Sequence, residues 1–202
     1  MRLGFGILFA VIIVAMAVCA RIARHSGKQI GFSASFLLAS LILPMAGNGI
    51  IILSGNRVLS LIGCYKYYLG LDVAIAALLR FTVNYCQISW RHRVYPYVLS
   101  FLLLADMVQL LLNPLFHHAF EVMEIEVDGF PYFKMIPYLG QSIHRVLDYL
   151  ILGGIIVVFI IRTVKAPKLR AERYWVILFA LVLVSVWETA YKIGRASCRE
   201  RV

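Results

Sequence analysis

The chain has 202 residues, of which 62% are hydrophobic and only 15% are charged. Soluble domains carry about a quarter charged residues, so this composition excludes an ordinary soluble globule and indicates a polytopic membrane protein. The formal net charge is +10, but the basic residues lie in short loops beside apolar segments. Because they form no basic helix face, a nucleic-acid partner is not expected. The four cysteines show no metal-ligand spacing, so we expect no metal, no cofactor and no disulfide framework.

Apolar segments of about the length that a membrane-spanning helix needs recur along the chain. They predict six spans, at residues 3–20, 30–53, 66–86, 95–113, 137–162 and 174–191. The first is followed by a basic cluster, which favours a retained helix over a cleaved signal peptide. Pro44 and Gly47–Gly49 are expected to loosen the outer half of the second span, and residues 55–66 to form a helical lead-in to the third. The predicted fold is an all-α membrane helix bundle.

The charges of the connecting loops alternate. Lysine and arginine concentrate between spans one and two, three and four, and five and six, and the other two connections are poor in them. By the positive-inside rule, the basic loops face the cytoplasm and the N-terminus is extracytoplasmic. The tyrosines at 65, 67 and 68 are interpreted as an aromatic belt at the membrane interface.

Residues 119–133 alternate acidic and apolar side chains up to Asp128-Gly129, a dipeptide favoured in two-residue hairpin turns. This pattern predicts a short extracytoplasmic β-hairpin, which could lie over the mouth of the bundle as a lid. An irregular acidic loop is the alternative.

Polar side chains inside the spans are the candidate ligand-binding residues, because burying a charge in a bilayer costs about 2.5–3.5 kcal/mol. A rise of about 1.5 Å per residue places them mainly in the outer half of the bundle. Two interpretations stay open: internal pairing, as between Arg145 and Asp148 at i, i+3, or a polar cavity open to the outside. Arg145 is the first choice for contacting an anionic or polar ligand, and His117 and His118 are interpreted as interfacial. The candidates are Asp72, Asp106, Gln141, His144, Arg145, Asp148 and Glu188.

The last ten residues, "IGRASCRERV" (193–202), resemble the translation of a common high-throughput sequencing adapter in one reading frame. We therefore expect a non-native tail and exclude it from the fold. Without its three arginines and one glutamate the net charge falls from +10 to +8.

Residues 47–86, "GNGIIILSGNRVLSLIGCYKYYLGLDVAIAALLRFTVNYC", resemble the N-terminal seven-helix sensor region of bacterial histidine kinases and diguanylate cyclases, the latter with GGDEF domains. "NPLFHHAF" (113–120) and "IPYLGQSIHRVLDYLI" (136–151) are also similar to that region. The resemblance implies that residues 1–192 are a sensor (input) domain truncated after six of seven helices. It further implies a bacterial inner membrane, a homodimer, and a small-molecule or membrane signal from outside.

No GGDEF sequence, phosphoacceptor-histidine helix or ATP-binding motif occurs. The fragment itself is therefore expected not to be an enzyme, and the resemblance implies a parent that is a diguanylate cyclase, with a histidine kinase as the alternative. A small-solute transporter is the alternative, because buried charges near a broken helix are typical of substrate paths, although no inverted repeat is found. An intramembrane enzyme has less support, since no GxSxG or HExxH motif occurs.

Overall fold

A computed structural model describes residues 2–27, 29–88, 94–127, 130–167 and 171–183. Residues 171–183 are helical. The remainder of the predicted sixth span, with Glu188, and the tail at 193–202 lie outside the described residues. The other elements are helices α1 (Arg2–His25), α2 (Gln29–Leu53), α3 (Arg57–Tyr85), α4 (Val94–Leu111) and α5 (Asn113–Phe116), strands β1 (Phe120–Val127) and β2 (Phe130–Pro137), and helix α6 (Leu139–Lys165).

The fold is all-α with one small antiparallel sheet, as predicted. Within the described residues, five helices are long and apolar enough to cross a membrane: residues 4–25 of α1, and the whole of α2, α3, α4 and α6. Large apolar side chains on their outer surfaces are exposed, for example Val11, Phe101 and Leu150, whereas Asp72 and Gln141 are buried. This arrangement is the reverse of that in a soluble protein, and it suits helices that face lipid.

The chain divides into two compact units, Met1–Ile151 and Leu152–Val202. The first contains α1 to α5, the two strands and the first half of α6. The second contains the rest of α6 and the helical residues 171–183, and within it the rings of Phe159 and Tyr174 lie 6.3 Å apart between centroids. All of the site residues described below belong to the first unit.

Helix α3 is one continuous helix that includes both the expected lead-in and the third predicted span. It begins after Asn56, whose side-chain oxygen accepts a hydrogen bond of 2.8 Å from the Val58 amide. Such a cap satisfies one of the free N–H groups of the first turn. The helix ends at Tyr85, and Gln87 two residues later adopts a left-handed conformation with φ of 48°.

The expectation that Pro44 and Gly47–Gly49 loosen the second span is wrong, because α2 stays helical through all of them. The reason is close packing against α3. A Cβ atom on Gly47 would lie 2.6 Å from the Tyr67 backbone nitrogen, and one on Gly70 would lie 2.7 Å from the Pro44 nitrogen. These glycines therefore let two backbones approach, as small residues do between membrane helices.

The predicted β-hairpin is confirmed, and the irregular loop is excluded. Strands β1 and β2 pair in antiparallel register from Phe120 opposite Pro137 to Val127 opposite Phe130. This register leaves two residues between the strands, at 128 and 129, which lie outside the described residues. The Tyr138 hydroxyl donates a hydrogen bond of 2.8 Å to Glu121 on β1, and this bond raises the pKa of Tyr138.

We expect Gly70→Ala to lower the free energy of unfolding by about 1–3 kcal/mol, because the new methyl group overpacks the contact with α2. Gly153→Ala is the matched control, since a Cβ atom there meets no described atom within 4 Å. That control should leave stability unchanged or raise it by up to about 1 kcal/mol through helix propensity. Thermal unfolding of the purified protein in detergent measures both, and equal midpoints for the two variants would contradict the close contact.

Candidate functional site

Four buried ionisable side chains from three helices meet inside the first unit. Asp72 comes from α3, Asp106 from α4, and His144 and Asp148 from α6; they are 0%, 5%, 1% and 6% exposed. The His144 Nδ1 atom lies 2.5 Å from Asp106 Oδ2 and 3.6 Å from Asp72 Oδ1, and its Nε2 atom lies 3.2 Å from Asp148 Oδ2. One imidazole thus faces three carboxylates. We call these four residues the His144 cluster.

Helical spacing aims each of these side chains at the same point. His144 and Asp148 stand at i, i+4, one above the other on a single face of α6. Asp106 belongs to the buried stripe of α4, between Leu103 and Leu110 at i−3 and i+4. On α3, Asp72 continues a buried row with Tyr68 one turn earlier. The cluster is therefore a junction of three helices.

The electrostatics of the cluster are unbalanced. If its three carboxylates are ionised, the four side chains carry a net charge of −2 with a protonated imidazole and −3 with a neutral one. Asp106 engages Nδ1 of His144. Among the described residues, neither oxygen of Asp72 has a hydrogen-bond partner, and neither does Nε2 of His144. A buried charge without such partners is costly, so this site favours the arrival of positive charge.

Arg145 does not supply that charge. Its Nη2 atom donates a hydrogen bond of 3.0 Å to Gln141 Oε1, one turn earlier on α6. The guanidinium thus reaches back along the helix to Gln141, whereas Asp148 faces His144. The role of Arg145 in contacting an anionic ligand stays a prediction. Glu188, the remaining candidate, lies outside the described residues.

Tyr68 connects the cluster to the hairpin. Its ring lies 5.2 Å from the His144 ring at 89°, and 5.4 Å from the Phe120 ring on β1. Its hydroxyl donates to the Met135 sulfur on β2 at 2.5 Å and accepts from the Gln141 amide at 3.3 Å. The interpretation of Tyr68 as an aromatic-belt residue is thus wrong, because the side chain is 4% exposed and faces the protein interior.

Asn113 anchors the start of the hairpin, and sequence reasoning missed it. The side chain is 3% exposed. Its Oδ1 atom accepts from the amides of Ala119 at 2.7 Å and Phe120 at 3.3 Å, and its Nδ2 atom donates to the Phe120 carbonyl at 2.9 Å. These bonds replace ladder partners that the backbone lacks where β1 begins, so the hairpin is fixed to the end of α4 through α5.

A cavity of about 270 Å³ lies beside the hairpin and has no residue in common with the His144 cluster. The cavity is lined by Arg57, Glu121, Val122, Met123, Glu124, Phe133 and Ile136.

No protein-family model matches the chain, and no curated protein matches it. Its function must therefore be argued from the residues and their geometry.

We expect Asn113→Ala to loosen the hairpin, because two buried amides and one carbonyl lose their partner at about 1–3 kcal/mol for an unsatisfied group. Limited trypsin digestion should then cleave faster after Lys134 on β2. Asn84→Ala is the control: it removes one partly buried hydrogen bond, to Ser33, far along the chain from the hairpin. An unchanged cleavage rate after Lys134 in Asn113→Ala would show that Asn113 does not hold the hairpin.

Proposed function

We propose that the chain is the membrane-embedded input module of a bacterial signal-transduction protein, in which the His144 cluster responds to a signal. The observation that carries this proposal is the junction itself. A buried, charge-unbalanced cluster joins three helices of membrane-spanning length, α3, α4 and α6. Proteins place ionisable groups at such depths mainly for function, because each one is costly there.

Membrane insertion is supported by the apolar outer surfaces of the helices, and the orientation by the distribution of lysine and arginine. In the proposed orientation the basic loops lie in the cytoplasm, and the N-terminus and the hairpin lie outside. The hairpin joins the end of α5 to the start of α6, so it lies at the extracytoplasmic ends of α4 and α6.

The electrostatic energies available at the cluster are large enough to switch helix packing. Two unit charges 4 Å apart interact by about 4 kcal/mol at an effective dielectric constant of 20. Moving a two-state equilibrium from 1:99 to 99:1 takes about 5.5 kcal/mol of differential binding. Adding one or two positive charges among three carboxylates changes several such pairs at once. A ligand that does so favours the packing in which α3, α4 and α6 are closest.

In the proposed orientation, the hairpin connects this cluster to the extracytoplasmic side through side-chain contacts. Phe120 and Met135 of the hairpin contact Tyr68, and Tyr68 contacts His144. In the proposed module, movement of the hairpin and charge at the cluster are therefore coupled through one side chain. The resemblance to sensor regions implies an output domain, a diguanylate cyclase or a histidine kinase, that acts as a homodimer.

A cation-coupled transporter of small solutes is the second candidate. Asp72 favours it, since a fully buried carboxylate without a hydrogen-bond partner among the described residues is typical of ion paths. Solute flux into proteoliposomes that carry the purified chain would favour this function over the first.

The orientation predicts opposite labelling of two single cysteines. In a background whose four cysteines are replaced by alanine, Glu124→Cys on the hairpin should react with a membrane-impermeant maleimide on intact cells. Lys165→Cys at the end of α6 should react only after permeabilisation. Both positions are exposed, so access to the membrane side, not burial, decides the result. The reverse pattern would overturn the receptor orientation.

The sensory role predicts that the cluster controls output in the natural full-length protein. Asp106→Asn should change the ratio of stimulated to basal output by roughly 5- to 150-fold, the usual range of coupling between sites. Glu124→Gln, which removes an exposed carboxylate on β1, is the control and should leave the ratio unchanged. Cyclic di-GMP formation and autophosphorylation are the two readouts. Wild-type output from Asp106→Asn in both readouts, at equal expression, would contradict a sensory cluster.

A further inference from the structure

We propose that the His144 cluster is a binding site for one divalent transition-metal cation, held by Asp72, His144 and Asp148. One potential ligand atom from each of these three residues lies within 4.8 Å of the other two. All three side chains are buried, at 0%, 1% and 6% exposure. The further idea that this cation is the signal rests on the sensory function proposed above. The existence of the binding site does not depend on that function.

The spacing of the donor atoms fits a metal. Two donors that are each about 2.0–2.1 Å from a tetrahedral zinc ion lie about 3.3 Å apart. The distance between His144 Nε2 and Asp148 Oδ2 is 3.2 Å. The Asp72 Oδ1 atom lies 3.6 Å from His144 Nδ1, and one donor atom of Asp72 lies within 4.8 Å of those of the other two residues. Metal binding through Nε2 therefore requires the Asp72 side chain to turn toward Nε2 and Asp148.

Two buried groups lack the partner that a cation would provide. Both oxygens of Asp72 and Nε2 of His144 have no hydrogen-bond partner among the described residues. His144 Nε2 lies 3.2 Å from Asp148 Oδ2 without a hydrogen bond between them, a separation that also suits two ligands of one ion. A divalent cation also offsets the net charge of the three carboxylates.

Asp106 completes the pattern as a positioning residue. Its Oδ2 atom is 2.5 Å from His144 Nδ1, the ring nitrogen on the other side from Asp148. Histidines that bind metals through one nitrogen commonly donate the other N–H to a carboxylate, which fixes the tautomer and the ring orientation. The Tyr68 ring, perpendicular to the imidazole, restrains it further.

The donor set selects the class of cation. One imidazole nitrogen with carboxylate oxygens suits Zn²⁺ and the neighbouring Mn²⁺, Fe²⁺ and Co²⁺, whereas no thiolate is present to favour softer ions. Ca²⁺ prefers six to eight oxygen ligands, and Mg²⁺ retains several waters, so both fit this enclosed site poorly. The i, i+4 spacing of His144 and Asp148 is the sequence signal for such a site, since ligands on one helical face recur at that spacing.

The test is Zn²⁺ binding by the purified full chain in detergent, after removal of metals, in the background whose four cysteines are replaced by alanine. Competition with a chromophoric chelator should give one Zn²⁺ per chain, and Co²⁺ should produce visible absorption bands of a low-symmetry site. Zn²⁺ should raise the unfolding temperature, and Mg²⁺ at the same concentration should not. Asp148→Asn should weaken Zn²⁺ binding by at least tenfold, and Asp106→Asn by about 10- to 100-fold.

Two controls separate this site from surface binding. Glu124→Gln removes a carboxylate from the hairpin, and the double variant His117→Ala/His118→Ala removes a neighbouring histidine pair; both should bind Zn²⁺ like the parent. Asp72→Asn, which relieves repulsion among the carboxylates, should unfold in chelator at or above the parent's temperature, so loss of its Zn²⁺ affinity cannot be attributed to misfolding. Equal affinity of Asp72→Asn, Asp148→Asn and the parent would overturn the site. Because no signalling output is measured, that failure is distinct from failure of the sensory role.

Discussion

The structure depends on one electrostatic constraint: three carboxylates and one imidazole share a buried volume where water cannot solvate them. When they are ionised, Asp72, Asp106 and Asp148 repel one another, and the residue that all three approach is His144. Each helix that contributes to this point also exposes apolar side chains on its other faces. The hydrophobic exterior forces the polar groups together, and the polar groups then fix which helix faces must meet. The rotations of α3, α4 and α6 about their axes are therefore set by four side chains.

The hairpin extends this constraint to the end of the bundle. A hydrophobic cluster that includes Cys64, Tyr68 and Leu110 of the helices also contains Phe120, Val122 and Phe133 of the strands. The Asn113 side chain, at the start of α5, holds the first residues of β1 through hydrogen bonds to their backbone. An isolated two-stranded hairpin has little stability of its own. Here it is stabilised by the same helices that form the cluster, so its position reports on how they pack.

The elements of the fold could be predicted from the sequence, and the partners within the site could not. Apolar runs located the helices, and acidic–apolar alternation before Asp128-Gly129 located the hairpin, because both signals are local. Five of the seven candidate residues were found because a charge in an apolar run is conspicuous, and His144 and Gln141 because they lie next to Arg145 on the same helix. The described residues place four of the seven in one cluster. The contacts among these residues depend on which helices are neighbours in the fold, and the local sequence pattern does not encode this. Spacing alone allowed a pairing of Arg145 with Asp148, yet helical side chains lean toward the N-terminus, and Arg145 reaches Gln141. Tyr68 and Asn113 were missed because their roles depend on tertiary contacts. Tyr68 contacts both His144 and the hairpin, and Asn113 binds the backbone where β1 begins.

The glycine contacts between α2 and α3 have a mechanical consequence. Gly47 and Gly63 are positions where a Cβ atom would strike the backbone or side chains of the opposite helix. Because no side chains separate the two backbones at these glycines, α2 and α3 cannot shift past each other without losing that contact. They therefore pack as one unit, which fixes the position of Asp72 on α3. The other two helices of the His144 cluster, α4 and α6, are joined by the hairpin, so the geometry around His144 depends on how this second pair packs against the first.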